Sequence, residues 1–218
     1  MTEQEWLECR DPEKMLEFLR GSAKTPENLE RKLRLFGAAC CRHIRLLLCD
    51  KRSRKAIEMA ERFADGLVSG GALDRARRVA GSAGMLRAVE DSRATSAWMA
   101  PLMITDRRFY GWDSVIATMR ALEHAGVRVT ERDFQCTAVK DIIGNPFRPI
   151  TFDPAWRTPT VVQLARSLYE ERRFEEMPVL GDAVEEAGCQ DAVVLGHCRG
   201  PGPHLRGCRL LDRLLRKE

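Results

Sequence analysis

The sequence predicts an all-α protein, a multi-helix bundle with an ordered loop rich in proline and aromatic residues near residues 144–159. Three observations predict it: apolar residues recur at spacings of three and four, helix-capping residues precede those runs, and alternating strand patterns hardly occur. The chain has 218 residues, of which 44% are hydrophobic and 31% charged, the balance of a folded globular protein. We expect one helical domain over residues 1–218, with two halves, 1–104 and 113–218, as the alternative.

The first helices are predicted from their caps. Asp11 caps a helix that has Pro12 at its first position and ends at Gly21, and residues 25–26 (Thr-Pro) repeat this start. The helix that follows is the expected backbone of the N-terminal core, because one apolar stripe runs along it. The stripe consists of Leu29, Leu33, Phe36, Cys40, Ile44 and Leu47.

Two further helices are expected before residue 105. One covers residues 53–68 and the other covers residues 73–98. Gly81 and Gly84 each cost about 1 kcal/mol relative to alanine inside a helix, so a break between them is the alternative. Pro101 is expected to end the second helix.

The middle of the chain carries the one strand signal. A polar connector at 105–111 precedes a helix over 113–125, which Asp113 caps. Residues 127–130 (Val-Arg-Val-Thr) are the one plausible short strand, with an extended loop as the alternative. The helical pattern resumes over 131–143.

Residues 144–159 contain four prolines and three large aromatic rings. Because proline fixes the backbone and large rings favour burial, we expect an ordered loop that lies across a helical surface. Three helices follow this loop, beginning at about residues 159, 177 and 191. Pro203 is expected to begin the last helix, which continues to the end of the chain.

Composition argues against a membrane protein. The longest stretch without a charged residue, 94–105, has twelve residues, whereas a membrane-spanning helix needs roughly 20. The N-terminus carries Glu3, Glu5 and Glu8 where a secretory signal has a basic flank and an apolar run. We therefore expect a cytoplasmic protein without a membrane partner.

Three of the four histidines lie near cysteines. Cys40 and His43 are three residues apart on a predicted helix, and His204 and Cys208 are four apart on the predicted last helix, so each pair shares one face. His197 directly precedes another cysteine. Thiolates and imidazoles are the usual ligands of a tetrahedral zinc ion. The sequence predicts a zinc site of Cys40, His43, His204 and Cys208, and the alternative is that the thiols pack in the core.

One region is strongly basic. Residues 31–62 contain ten basic residues against three acidic ones, although the whole chain has a net charge of only +4. Such a region can bind a nucleic acid or another polyanion by releasing counterions, and a solvated helix face is the alternative. The candidate residues are Arg31, Lys32, Arg34, Arg42 and Arg45.

Motifs of known enzymes are missing from the sequence. It has no glycine-rich phosphate loop, no HExxH and no GxSxG. This favours a non-catalytic role, and we expect a helical interaction or scaffold module that binds an unknown protein partner. A zinc-binding structural or sensor protein is the first alternative, and polyanion binding through residues 31–62 is the second.

Four segments together resemble an uncharacterised family of bacterial cytoplasmic proteins that occurs as many paralogues per genome. They are EWLECRDPEKMLEFLRG (5–21), KLRLFGAACCRHI (32–44), GNPFRPITFDPAW (144–156) and AGCQDAVVLGHCRGPGPHLRGCRLLD (187–212). The resemblance implies a bacterial origin and a shared fold, and no established activity. Arg209 departs from the family, in which a tryptophan tends to follow the final Gly-Cys, so this chain fills that space differently.

Overall fold

The computed structural model of the protein is all-helical, as the sequence predicts, and describes residues 1–22, 28–44, 48, 50–84, 92–108, 111–125 and 128–217. No strand occurs among these residues, and none of their helices combines the length and the apolar composition that crossing a membrane requires. Short 3₁₀ turns lie at Pro154–Trp156 and Phe174–Glu176. The α-helices are α1 (Glu3–Glu8), α2 (Pro12–Arg20), α3 (Leu29–His43), α4 (Lys51–Ala64), α5 (Gly70–Gly84), α6 (Ser92–Ile104), α7 (Trp112–Ala125), α8 (Arg128–Ile142), α9 (Pro159–Glu171), α10 (Met177–Glu186), α11 (Ala192–Arg199) and α12 (Arg209–Leu215).

Side-chain caps explain where several helices begin. Asp11, Thr158 and Asp191 accept hydrogen bonds from backbone N–H groups in the first turns of α2, α9 and α11. These three predicted starts are therefore confirmed. The predicted start at residues 25–26 and the end of the apolar stripe at Leu47 lie outside the described residues.

The chain divides into two compact units, Met1–Val139 and Lys140–Glu218. In unit 1, α3 lies against α4, α6 and α7, and α6 packs closely along α7. Both helices that flank the connector at 105–111 belong to unit 1. The division between the units falls within α8, whereas the sequence placed its alternative boundary between residues 104 and 113. A single domain over residues 1–218 stays a prediction.

A glycine sets the close approach of α3 and α6 in unit 1. A Cβ atom at Gly37 would lie 2.7 Å from Cγ2 of Ile104, so a larger residue at this position would collide with α6. Ile104 is fully buried, as are the side chains around it on α3. The absence of a side chain at Gly37 therefore allows the two helices to pack directly against each other.

The core of unit 2 is built by the apolar faces of α9, α10, α11 and α12. Fully buried members include Val161, Leu168, Leu180, Val194 and Leu211. The loop at 144–159 covers this core: the rings of Phe152 and Trp156 pack against it and meet edge to face with centroids 5.5 Å apart. The ordered loop that the sequence predicts is confirmed.

Pro101 was expected to end a helix, and this prediction is wrong because α6 contains it and continues to Ile104. The turn around the proline is completed by Thr105, whose N–H and hydroxyl both donate to the Pro101 carbonyl. α5 and α6 are separate helices, and residues 85–91, through which the sequence predicts one continuous helix, lie outside the described residues.

The strand predicted at residues 127–130 is wrong for residues 128–130, which form the first turn of α8. Val127 lies outside the described residues. β-branched residues such as Val129 and Thr130 cost only a few tenths of a kcal/mol in a helix, which the packing of an amphipathic helix readily exceeds.

Candidate metal centre

Four side chains of unit 2 converge on one point. Asp141, His197, His204 and Cys208 each place a ligand atom there, and the four atoms all lie within 4.8 Å of one another. Carboxylate oxygen, imidazole nitrogen and thiolate sulfur are all ligands of divalent transition metals. The cluster therefore has the composition and the proximity of a metal centre.

Two of these residues are carried by helices. Asp141 lies in the last turn of α8, directly before Ile142 at the helix end. His197 lies in the last turn of α11, a helix that begins where the Asp191 side chain accepts from the N–H groups of Val193 and Val194. Both side chains are thus fixed by regular secondary structure before any ion binds.

The other two residues lie in or beside an irregular segment. His204 is in the loop between α11 and α12, and Cys208 is the residue that precedes the first turn of α12. Gly202 and Gly207 in this segment have φ angles of +72° and +92°, a conformation that glycine adopts without strain. The Cys208 N–H donates to the Leu205 carbonyl at 2.9 Å and closes a turn between them.

The prediction that His204 and Cys208 share one face of a helix that begins at Pro203 is therefore wrong. α12 begins only at Arg209, because the positive φ angles of Gly202 and Gly207 interrupt a helix. The two side chains nevertheless meet, since a turn and not a helix brings them together.

Three distances between ligand atoms of the cluster are close to those found around one ion. Nε2 of His197 lies 3.0 Å from Sγ of Cys208 and 3.4 Å from Oδ1 of Asp141. Nδ1 of His204 lies 3.3 Å from the same Oδ1. Four ligand atoms in a tetrahedron around zinc, at about 2.0–2.3 Å from the ion, are separated by roughly 3.3–3.6 Å. Binding of an ion would bring the four ligand atoms, which lie within 4.8 Å of one another, to such separations.

Neighbouring groups orient the ligands. Oδ2 of Asp141 accepts a hydrogen bond from the backbone N–H of Leu205 at 2.9 Å, which leaves Oδ1 directed at the two histidines. The imidazole rings of His197 and His204 meet edge to face, with centroids 4.8 Å apart. Such supporting contacts fix the orientation of metal ligands.

Arg209 also lies beside the cluster, where its side chain packs against the backbone of Gly144. Gly144 has a φ angle of +98°, and a Cβ atom there would lie 2.8 Å from Cδ of Arg209. The charge of Arg209 acts on both Asp141 and Cys208.

The cluster is well shielded from solvent. The side chains of Asp141, His204 and His197 are 3%, 7% and 13% exposed, and Cys208 is fully buried. Nε2 of His204 is buried without a hydrogen-bond partner. The other ring nitrogen, Nδ1, lies beside Oδ1 of Asp141, so Nδ1 is the atom of His204 that faces the cluster.

Electrostatics favours a neutral imidazole and a protonated thiol when no ion is bound. Burial lowers the pKa of His197 to about 4, so near pH 7 this ring is neutral and offers a lone pair. Burial raises the pKa of Cys208 well above its usual range, and the Asp141 carboxylate adds to the effect. A cation in the centre would stabilise the thiolate and replace its proton.

Two of the four metal ligands that the sequence predicts, His204 and Cys208, belong to this cluster. The other two lie on α3 in unit 1, where they have partners of their own. Nδ1 of His43 lies 2.7 Å from Oε2 of Glu131, and its ring stacks on Phe134. Cys40 is fully buried, and burial raises its pKa well above the usual range. A shared site of all four predicted residues stays a prediction.

Asp141 and His197 are not among the ligands that the sequence predicts. A signal for Asp141 was present: it follows Ala138 by three residues, and both lie on the buried face of α8. A buried carboxylate needs a charged or hydrogen-bonding partner, so an acid on an apolar helix face points to a special role. His197 was noted beside Cys198, but its distance from Cys208 depends on the loop between α11 and α12.

Four of the five candidate polyanion-binding residues are buried or paired inside unit 1. Arg34 is buried and donates hydrogen bonds to the carbonyls of Ile104 and Asp106 at 2.6 and 3.0 Å. It thereby provides donors for carbonyl groups at and just beyond the C-terminal end of α6. The pairs are Arg31 with Asp65 and Arg42 with Glu61, while Lys32 is buried and Arg45 lies outside the described residues.

Comparison of the chain with known protein families, with curated proteins and with solved structures finds no match. The interpretation of the cluster therefore rests on its geometry and on the chemistry of its ligand atoms.

Proposed function

We propose that the protein is a non-catalytic helical module that binds one zinc ion through Asp141, His197, His204 and Cys208. The observation that carries this proposal is the convergence of the four ligand atoms within 4.8 Å inside a shielded part of unit 2. Two imidazoles and one thiolate favour zinc over magnesium and calcium, which prefer sites made of oxygen atoms.

A structural role for the ion follows from the number of ligands. Catalytic zinc sites keep one coordination position open for water or substrate, whereas structural sites use four protein ligands. The cluster supplies four, which completes a tetrahedron. The ion would then stabilise the fold of a module whose function is to bind another protein, the role expected from the sequence.

The chemistry of the site also supports a reducing compartment. A thiolate ligand must stay reduced to bind zinc, and the three cysteines of unit 2, Cys189, Cys198 and Cys208, are thiols. We therefore keep the cytoplasmic location and the membership in a bacterial multi-paralogue family as parts of the proposal. Polyanion binding through residues 31–62 stays a prediction that would require Arg42 to leave Glu61.

The test is the metal content of the full-length protein, purified without an affinity tag under reducing conditions. Elemental mass spectrometry is expected to find about one zinc ion per chain. Replacement of zinc by cobalt is expected to give the visible absorption of a tetrahedral Co²⁺ site together with a sulfur-to-cobalt charge-transfer band.

Two matched variants test whether the charge-transfer band comes from Cys208. Cys208→Ala removes the proposed ligand and is expected to abolish the charge-transfer band. Cys189→Ala removes another fully buried thiol of unit 2, outside the cluster, and is expected to retain it. Protein without metal, or a cobalt spectrum that Cys208→Ala leaves unchanged, would overturn the proposal.

A further inference from the structure

The segment that joins α11 to α12 supplies half of the proposed ligands. Residues 200–208 have no regular secondary structure, yet His204 and Cys208 lie within or at the end of this segment. The other two ligands, Asp141 and His197, belong to helices. An ion at this point would therefore join a loop to two rigid elements.

The cluster already takes part in holding this loop. The Leu205 N–H donates to Oδ2 of Asp141, so the loop is attached to the same carboxylate that would bind the ion. Beyond the cluster, the guanidinium of Arg206 lies 4.7 Å from the ring centroid of Tyr169. A cation–π contact of this kind is worth only about 0.5–1 kcal/mol at a partly exposed site.

α12 is too short to be stable on its own. It has seven residues, whereas an isolated helix needs roughly 12–15 residues to be marginally stable in water. Its buried leucines, Leu210, Leu211 and Leu214, join the core of unit 2, and the helix lies against α9. Cys208 directly precedes its first residue, so a metal ligand sits at the point where α12 begins.

We propose that the ion fastens the C-terminal segment, residues 200–217, to the rest of unit 2, so that loss of the ion favours local opening of α12, which uncovers the apolar face of α9. This inference rests on the proposed zinc site and states what changes in the protein when the ion leaves it. The face that release would uncover is formed by Val161, Ala165, Leu168 and Tyr169, all fully buried when α12 is in place.

The expected effect follows from linkage. An ion that binds only the fastened state multiplies the ratio of fastened to open molecules by about one plus the ratio of free ion to Kd. At a free zinc concentration about 100-fold above Kd, local opening of the segment is therefore suppressed by a factor of about 100. Amide protection in α12 is expected to fall by that factor when zinc is removed.

Hydrogen–deuterium exchange on the full-length protein tests this proposal. Exchange is measured with buffered free zinc and again after zinc is removed by a chelator. Faster exchange is expected in peptides from residues 200–217 and from α9 (Pro159–Glu171). Peptides from α4 (Lys51–Ala64) in unit 1 serve as the internal reference and are expected to stay unchanged.

Variants keep the inference separate from the zinc site itself. His204→Ala, which removes a loop ligand, is expected to show fast exchange in residues 200–217 at every zinc concentration, and Cys189→Ala is expected to behave like the wild type. If zinc binds with the expected stoichiometry but leaves exchange in residues 200–217 unchanged, the proposal that the ion fastens this segment is wrong, and the proposed zinc site still holds. Protein that binds no zinc would overturn both.

Discussion

Replacing Asp141 by asparagine separates two roles of this side chain. The amide keeps the size of the carboxylate, but it loses the charge and the second acceptor oxygen. In the structure Oδ2 of Asp141 accepts from the Leu205 N–H at 2.9 Å. Whichever way the amide turns, a donor NH₂ group replaces one of the two acceptor oxygens, so either the Leu205 N–H or the ring nitrogen that faces Oδ1 loses its acceptor, at a cost of about 1–3 kcal/mol. The metal-free variant is therefore expected to melt at a lower temperature, by at least about 2 °C for a chain of this length.

The second role concerns the zinc-dependent part of the stability. At free zinc about 100-fold above Kd, the wild type gains about 2.7 kcal/mol, which corresponds to roughly 5–11 °C. Loss of a supporting residue near a metal typically weakens binding 10–100-fold, so loss of a ligand is expected to cost at least about 100-fold. At the same free zinc, Asp141→Asn would then gain only about 0.4 kcal/mol, or 1–2 °C.

Thermal melts followed by circular dichroism, at fixed free zinc and with chelator, measure both effects in one set of samples. Asp182→Asn is the matched control, because Asp182 is an exposed acid of unit 2 that pairs with Arg199 outside the cluster. A zinc-dependent rise in Asp141→Asn equal to that of the wild type would show that the carboxylate is not a ligand. An unchanged melt of the metal-free variant would refute the contribution of the two carboxylate oxygens of Asp141 to the metal-free fold.

Three further substitutions test close packing, an ion pair and backbone strain, each within a single unit. Gly37→Ala places a Cβ atom 2.7 Å from Ile104 Cγ2, and overpacking should outweigh the helix propensity that alanine gains, for a net loss of up to about 2 kcal/mol in urea unfolding; a stabilised variant would contradict the close approach. Glu61→Gln breaks the bidentate pair with half-exposed Arg42 and is expected to cost about 1–2 kcal/mol in the same assay. Gly144→Ala forces alanine to a φ of +98° and is expected to cost about 1–3 kcal/mol; an unchanged melting temperature would refute that strain.

The helices were predictable where local chemistry decides the structure. Asp11, Thr158 and Asp191 cap helices because their side chains reach backbone N–H groups of the next turn, a contact that depends only on neighbouring residues. Prediction failed where tertiary packing decides. Pro101 sits inside α6, a helix that packs against α3, α4, α5 and α7.

The basic region shows the limit of counting charges along a chain. Ten basic residues in residues 31–62 suggest an exposed cationic surface. Arg31 and Arg42 instead meet Asp65 and Glu61, acids at and near the end of α4. The sequence gives the number of charges, but which of them face one another depends on how α3 packs against α4.

Two of the four residues of the candidate metal cluster could be predicted from the sequence, because these two are close together along the chain. His204 and Cys208 are close in sequence, so proximity alone suggests a pair, although the expected helix is a turn. Asp141 lies more than sixty residues from Cys208, and only the fold of unit 2 brings the two together. Spacing rules cannot find such a ligand, because the distance depends on how the loop after α11 returns to the end of α8.

The division of the ligands between helices and loop has a consequence for how the site would work. Asp141 and His197 are held by α8 and α11, so two positions of the tetrahedron exist before the ion arrives. His204 and Cys208 reach their places only when the loop folds back, and ordering that loop costs conformational entropy. Part of the binding free energy of the proposed zinc ion would therefore be used to order the loop, which would weaken the affinity relative to a preformed site. The same coupling makes the ordering of residues 200–217 sensitive to zinc, and a site made only of helix-borne ligands would lack that sensitivity.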